Sequence, residues 1–272
     1  AMKETNNFDD WVQTWQDNYR DLKNVQKIIT DKIGKIDDRL NAYRKETLNP
    51  GREAERAQEF LKYEVDPLVK EMRENNVSNK ELATYLHNRY AEERNEIINA
   101  KNKSPSVQDQ GSGISTENAR KYLKALPADR AKVLESLAER IDNIVRGSQD
   151  ILVESGQETQ ETISGWRKES PHYVPLKRDE SELDFIVQAG SGNLGGFATA
   201  GKFGKEALGS TKTVKNILEN IMLQRDRAIR RAESIRIGQA LYGLAIQYPN
   251  RDFWMAINPD AVKDIDALIA EM

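Results

Sequence analysis

The feature that most constrains this fold is a run of large apolar residues that recurs in steps of three and four over residues 8–43. Their mean spacing is about 3.5 residues, the period of a helix with one buried stripe, as in a coiled coil. The pattern predicts a single helix over residues 8–45, on the order of 55 Å long, with Gly34 as its weak point. Because such a helix is not stable alone, its stripe must pack on other helices of this chain or of a partner. The stripe consists of Phe8, Trp11, Trp15, Tyr19, Leu22, Val25, Ile29, Ile33, Ile36, Leu40 and Tyr43.

The composition fits long helices with wide solvated faces. Charged residues make up 31% of the 272 residues and hydrophobic residues 38%. The apolar fraction is low, but the apolar residues recur at helical spacing, which argues against disorder. We therefore predict an all-α, elongated multi-helix domain with two long helices, several shorter ones and a Gly-rich irregular excursion around residues 180–209.

Charge and residue counts bound the possible functions. The net charge of −3 provides no global attraction to nucleic acid or to an anionic membrane. The chain has no cysteine and only two histidines, His87 and His172, so we predict no metal site and no cofactor. No apolar run reaches the roughly 18 residues of a membrane span. Ala1 and Met2 resemble an expression scar, which suggests a fragment of a longer protein.

Breaking signals divide the chain into four predicted segments. Asn49-Pro50-Gly51 is expected to end the first helix. The segments are a long N-terminal helix over 1–48, a helical body over 52–170, a Pro/Gly-rich connector over 171–210, and a long helix with a short C-terminal helix over 211–272.

Capping signals predict the helices of the body. The helix over 52–75 is expected to kink or split at Pro67 and to point Phe60, Leu61, Val65, Leu68 and Met72 inward. Ser78 and Ser115 are predicted N-caps, since each has the side chain that binds the first free amides of a helix. The remaining predicted helices cover 79–101, 116–126, 128–155, 159–169 and 211–247, with a loop over 102–115.

A group of polar residues on the helix over 79–101 has two interpretations. Tyr85 and Arg89 are one turn apart, and His87, Arg94 and Asn95 are the candidates for a polar active site. The alternative is a hydrogen-bond network that ties this helix to the loop after it, because a lone histidine is a weak candidate for a base or ligand.

Two glycine-containing stretches could contact an anion. Gly111 and Gly113 precede a capped helix, and they suit either an anion at its N-terminus or a tight turn. Residues 196–203 nearly match a nucleotide-binding loop, but Phe203 has no hydroxyl for Mg²⁺.

Five arginines crowd the stretch from Arg225 to Arg236. Arg227, Arg230 and Arg231 share a face that could follow a phosphate backbone. The alternative is a solvated face with internal ion pairs, made with acids such as Asp226 and Glu233.

Several short motifs together resemble a helical region of large polyvalent proteins of tailed phages and prophages, some of which are named for a Pro-Leu-x-Arg-Phe-Gly signature. The resemblance covers roughly residues 60–250. The chain departs from it at Asn88, Tyr90 and Glu92, and Asp179-Glu180 replaces the Phe-Gly of the signature. The matching residues include Tyr85, Leu86, His87, Arg89, Arg94, Asn95, Gly111, Gly113, Trp166, His172, Tyr173, Pro175, Leu176, Arg178, Arg231, Glu233 and Gly238.

The resemblance implies one module of a giant protein that is carried by the virion or enters the host with the DNA. The leading hypothesis is a non-catalytic scaffold or interaction module. Its partners would be other domains of the same protein, a virion protein or a host protein, in the virion or the bacterial cytoplasm. The alternatives are nucleic-acid binding through the Arg225–Arg236 face and an enzyme site around His87 and Arg94.

Overall fold

The regular structure of the chain is helical, which confirms the all-α class. The computed structural model describes residues 20–102, 104–105, 108–176, 216–250 and 254, and no strand occurs among them. The α-helices are α1 (Arg20–Ile33), α2 (Ala42–Phe60), α3 (Asp66–Glu74), α4 (Asn79–Lys101), α5 (Thr116–Ala125), α6 (Ala128–Glu154), α7 (Gln160–Glu169) and α8 (Ile217–Gln247), and a π-helical turn (Leu61–Val65) joins α2 to α3.

The chain divides into two compact units. The boundaries fall within α2, between residues 52 and 53, and within α8, between residues 232 and 233. Of the described residues, the first unit contains 20–52, 233–250 and 254, and the second contains 53–102, 104–105, 108–176 and 216–232.

The first unit corrects the predicted N-terminal helix. Its part within the described residues is not continuous: α1 ends at Ile33, Gly34 adopts a left-handed φ of +88°, and α2 begins only at Ala42. A left-handed residue ends an α-helix and favours glycine. Ile36 is nevertheless buried, so the apolar spacing here indicates burial without a helix. The start of the predicted helix, residues 8–19, lies outside the described residues.

The predicted break at Asn49-Pro50-Gly51 is also wrong, because α2 continues through Pro50. Proline lacks the N–H that the helical hydrogen bond needs. Thr47, Leu48 and Gly51 are exposed around it, so water can solvate the backbone that the missing bond leaves open.

In the second unit, the main core lies where α3, α4, α6 and the start of α8 meet. Each fully buried aliphatic side chain contributes roughly 1.5–3 kcal/mol relative to exposure. A smaller cluster joins α6 and α7 to a later part of α8 through residues such as Leu152, Ile163 and Ile229, with Trp166 packed at its side. The main core includes Leu68, Met72, Leu82, Leu86, Leu134, Leu137, Ile141, Val174 and Ile221.

The π-helical turn explains why the predicted burial of Leu61 is wrong. Phe60, Leu68 and Met72 are buried as predicted, but Leu61 is 52% exposed. A π turn changes the register of the side chains that follow it. Here Glu64 accepts a hydrogen bond from Arg225 (2.5 Å), whose guanidinium also lies 5.1 Å from the Phe60 ring centre.

The sequence identified most helix starts of this unit. The hydroxyls of Ser78, Ser115 and Thr159 accept hydrogen bonds from the amides of Glu81, Asn118 and Thr162, as N-caps do. Gly156, with a φ of +72°, follows the end of α6. The predicted Gly-rich excursion over 180–209, the nucleotide-loop-like stretch over 196–203 and the last short helix lie outside the described residues.

Candidate functional site

The buried amide of Asn95 organises the loop that follows α4. Asn95 is 1% exposed. Its Oδ1 accepts a hydrogen bond from the amide of Ser112 (2.8 Å). Its Nδ2 lies within bonding distance of three oxygens, those of Asp109 (3.1 Å), Ile114 (2.9 Å) and the Thr116 hydroxyl (3.2 Å). One side chain therefore satisfies polar groups at several positions between residues 109 and 116.

His87 binds the same loop. Its Nε2 lies 2.8 Å from the carbonyl oxygen of Ser112. Because a carbonyl only accepts, this nitrogen must carry the proton and donate it. The structure thus brings His87 and Asn95 together at Ser112, which is fully buried. This arrangement is the hydrogen-bond network that the sequence left open as the alternative to an active site.

The two glycines of the loop have structural requirements. A Cβ at Gly111 would lie 2.6 Å from Cγ2 of Ile98, so the loop backbone approaches α4 too closely for any side chain. Gly113 has a φ of +93°, the left-handed region. Both residues suit a tight turn into the N-cap Ser115.

A second polar group lies between α4 and α6. Arg89 is 7% exposed, and it donates to both carboxylate oxygens of the buried Asp142 (2.5 and 2.6 Å) and to Glu135 (3.0 Å). The Tyr85 hydroxyl donates a hydrogen bond to the same Glu135. Burial and this carboxylate raise the pKa of the Tyr85 phenol. Sequence reasoning missed both acids, since nothing in the sequence marks which acids of α6 face inward.

Residues 170–176, which we call the exit segment, are held against α4 and α8. His172 hydrogen-bonds with Glu93 through its ring Nδ1 and its backbone amide, and this contact raises the pKa of His172. The Tyr173 ring packs edge-on against Tyr90, with centroids 5.7 Å apart. Val174 is fully buried.

Other contacts complete the anchoring of the exit segment. The Pro175 carbonyl accepts a hydrogen bond from Asn220 at 3.3 Å, and Leu176 packs on the main core. Burial raises the pKa of the Tyr90 hydroxyl, and Arg94 lies close enough to Tyr90 for its charge to lower that pKa by a smaller amount. Arg178 lies outside the described residues.

The arginines of α8 in the second unit do not form a uniformly exposed ridge. Arg230 is exposed and pairs with Asp226 at 2.9 Å. Arg227 and Arg231 are half-buried, and burial lowers the pKa of both guanidinium groups. Arg225 is 11% exposed and pairs with Glu64. In the first unit, Glu233 is buried and accepts from Arg236 (2.9 Å), and Gly238 is half-buried.

No group of three or more histidine, cysteine, aspartate or glutamate side chains suited to a metal occurs in the described part of the chain. Within the same residues, no helix is both long and apolar enough to cross a membrane. The chain matches no protein-family description, no curated protein sequence and no solved structure.

Proposed function

We propose that the chain is a non-catalytic helical scaffold or interaction module of a large phage or prophage protein. The observation that supports a non-catalytic role is the internal engagement of the motif residues. Asn95 and His87 bind the backbone of one loop, and Tyr85 and Arg89 bind acids of α6. The phage or prophage origin rests on the sequence resemblance, as does the location in the virion or the host cytoplasm.

The Nε2 contact of His87 gives this histidine a structural role. A general base needs a free lone pair that points at a substrate. Nε2 of His87 has none, because it donates to the carbonyl of the buried Ser112. The side-chain amide of Asn95 likewise hydrogen-bonds to the loop. A scaffold needs this kind of internal satisfaction, because each buried polar group left without a partner costs roughly 1–3 kcal/mol.

Two exposed apolar side chains on the π-helical turn support an interaction role. Leu61 is 52% exposed and Tyr63 is 65% exposed. π turns are frequent at functional sites, and each of the two side chains offers apolar surface that a partner can cover. We propose that this turn packs against another segment of the same large protein.

The arginines of α8 lend less support to the nucleic-acid alternative. Phosphate tracking requires cations that water and phosphate can reach together. Arg230 is the exposed one of the three, and its charge is already paired with Asp226.

Site-specific photo-crosslinking in the intact parent protein tests the proposal. Tyr63 would be replaced by a photoreactive phenylalanine, which keeps the aromatic ring at an exposed position. The matched control places the same residue at Lys70, whose side chain is 76% exposed. Crosslinks from position 63, and not from position 70, to another segment of the parent protein are expected. Equal or absent crosslinking at the two positions would contradict an interaction role for the turn.

A further inference from the structure

A small cavity lies beside the exit segment, between α6 and the C-terminal end of α7. Its volume is about 120 Å³. A water molecule takes up roughly 30 Å³ in the liquid, so the cavity has room for a carboxylate or phosphate group. Its lining includes Asp142, Arg146, Gln149 and Arg167.

The orientation of one lining amide follows from its neighbour. Gln149 is 9% exposed, and its Oε1 lies 2.9 Å from Nε of Arg167. A guanidinium only donates hydrogen bonds, so the amide oxygen must face Arg167 and the Nε2 group must be the free donor end. No acceptor for this Nε2 occurs among the described residues. This donor lies at the cavity wall within reach of solvent, so a ligand oxygen can take the place of water there.

The two arginines of the lining leave further donors available. Nη2 of Arg167 binds Asp150 (2.6 Å) and the backbone oxygen of Arg146 (3.0 Å), whereas its Nη1 has no acceptor in the described part of the chain. The guanidinium of Arg146 donates to the amide oxygen of Asn143 (3.1 Å) and forms no ion pair there. Two guanidinium groups and one amide therefore supply donors to the lining of the same cavity.

The acid in the lining does not cancel this preference. Both oxygens of the Asp142 carboxylate already accept from Arg89. Its negative charge is therefore compensated from the side of α4. Arg146 is the cation at the cavity without a carboxylate partner in the described residues, and it leaves one positive charge for a ligand to neutralise.

We infer that this cavity binds a compact oxyanion, either a carboxylate or a phosphate group, through Arg146, Gln149 and Arg167. The site is distinct from the loop held by His87 and Asn95 and from the exposed side chains of Leu61 and Tyr63. It does not depend on the proposed scaffold role, because that proposal does not rest on Arg146, Gln149 or Arg167.

Parallel titrations with sodium phosphate and sodium acetate at constant ionic strength test the inference. The readouts are the NMR signals of the Gln149 side-chain amide and of Arg167 Nε–H. Saturable shifts confined to the cavity residues are expected with at least one of the two anions, and the tighter anion identifies the ligand class. Shifts that stay linear, or that spread over the surface cations, would overturn the inference.

Two substitutions probe the donors separately. Arg146→Gln removes the unpaired cation from an exposed side chain, so the fold should be retained. Gln149→Glu keeps an oxygen for Arg167 but places a negative charge in the cavity. Each should weaken binding roughly ten-fold or more, because charge-assisted hydrogen bonds are lost or opposed.

Lys132→Gln is the matched control, since Lys132 is exposed on the same helix and lies outside the lining. It changes the net charge as Arg146→Gln does and should leave the affinity unchanged. Equal affinities for these two variants would overturn the assignment, even if Gln149→Glu did not fold.

Discussion

Two tracks of polar residues run along α4, and they hold their neighbours by different means. The loop-facing track, His87 and Asn95, binds residues 109–116 through hydrogen bonds to an imidazole and an amide. The α6-facing track, Tyr85, Arg89 and Glu93, binds acids of α6 and His172 of the exit segment. One helix thus anchors a loop with a single well-placed amide, and anchors α6 and the exit segment with charges.

The difference determines how each anchor can fail. Loss of an amide leaves backbone groups without partners, at a cost that pH does not change. Loss of one charge of a buried pair leaves the other uncompensated, which costs more. The partly exposed pair of the exit segment should cost least and should respond to pH.

Breaking the buried charge pair should have the largest effect. Arg89→Met leaves the carboxylate of Asp142, whose side chain is 8% exposed, without its cation. We expect the free energy of unfolding to fall by about 3–5 kcal/mol, measured by urea denaturation. The control is Arg120→Met, which removes an exposed pair between Arg120 of α5 and Glu92 of α4 and should cost far less. Equal costs would show that the burial of the pair has no energetic consequence.

Removing the central amide of the loop-facing track should rank second. Asn95→Ala leaves the Ser112 amide and loop carbonyls without their partner, and we expect a loss of about 3 kcal/mol in the same measurement. Asn99→Ala is the matched control one turn later, where the side chain accepts from the Asp109 amide near the surface. That variant should cost less than about 1 kcal/mol. A small effect of Asn95→Ala would mean that the loop does not depend on this residue.

The close approach of the loop to α4 offers a third test. Gly111→Ala would place a methyl group 2.6 Å from Ile98 Cγ2, and overpacking of this kind costs about 2 kcal/mol. Gly165→Ala, in α7, introduces the same methyl group where nothing lies within 4 Å. It should stabilise the protein by roughly 0.5–1 kcal/mol, since alanine favours a helix. Thermal unfolding of both variants would distinguish the sites, and a stabilising Gly111→Ala would refute the close packing.

The smallest effect is a pH dependence of the exit segment. Glu93 raises the pKa of His172 above its ordinary value, so the pair contributes stability that is fully present below about pH 6.5 and is lost as the pH rises through the raised value. The imidazole is 39% exposed, so solvent screening limits the contribution to about 1 kcal/mol or less.

Hydrogen exchange of residues 170–176 across this pH window measures the effect, after correction for the intrinsic rates. His172→Gln keeps a hydrogen-bonding side chain but cannot titrate, so it should abolish the pH dependence. Persistence of the dependence in that variant would assign it to another group.

The sequence correctly predicted those helix ends that depend on residues close together in the chain. The caps at Ser78 and Ser115 and the bounds of α4 follow from side chains within one helical turn. The failures at Gly34 and Pro50 show the limit of such signals. Apolar spacing continued past Gly34 although the chain turned there, and α2 tolerates Pro50 because its surroundings are exposed.

The candidate site was only half predictable for a related reason. Asn95 and His87 stand out by type and position. Their common partner, Ser112, and the acids Glu135 and Asp142 are set by contacts across 17 to 53 positions of the chain. Only the packing of α4 on α6 and on the loop selects these residues from many similar ones.

The amide hydrogen exchange of Ser112 tests the central claim most directly. If Asn95 and His87 hold the loop as part of the scaffold, this amide should be strongly protected in the wild-type chain, and Asn95→Ala should remove the protection while the amides of the α6 core keep theirs. Rapid exchange of Ser112 in the wild-type chain would contradict the account, because the loop would then be free and the polar residues of α4 would be available for another role.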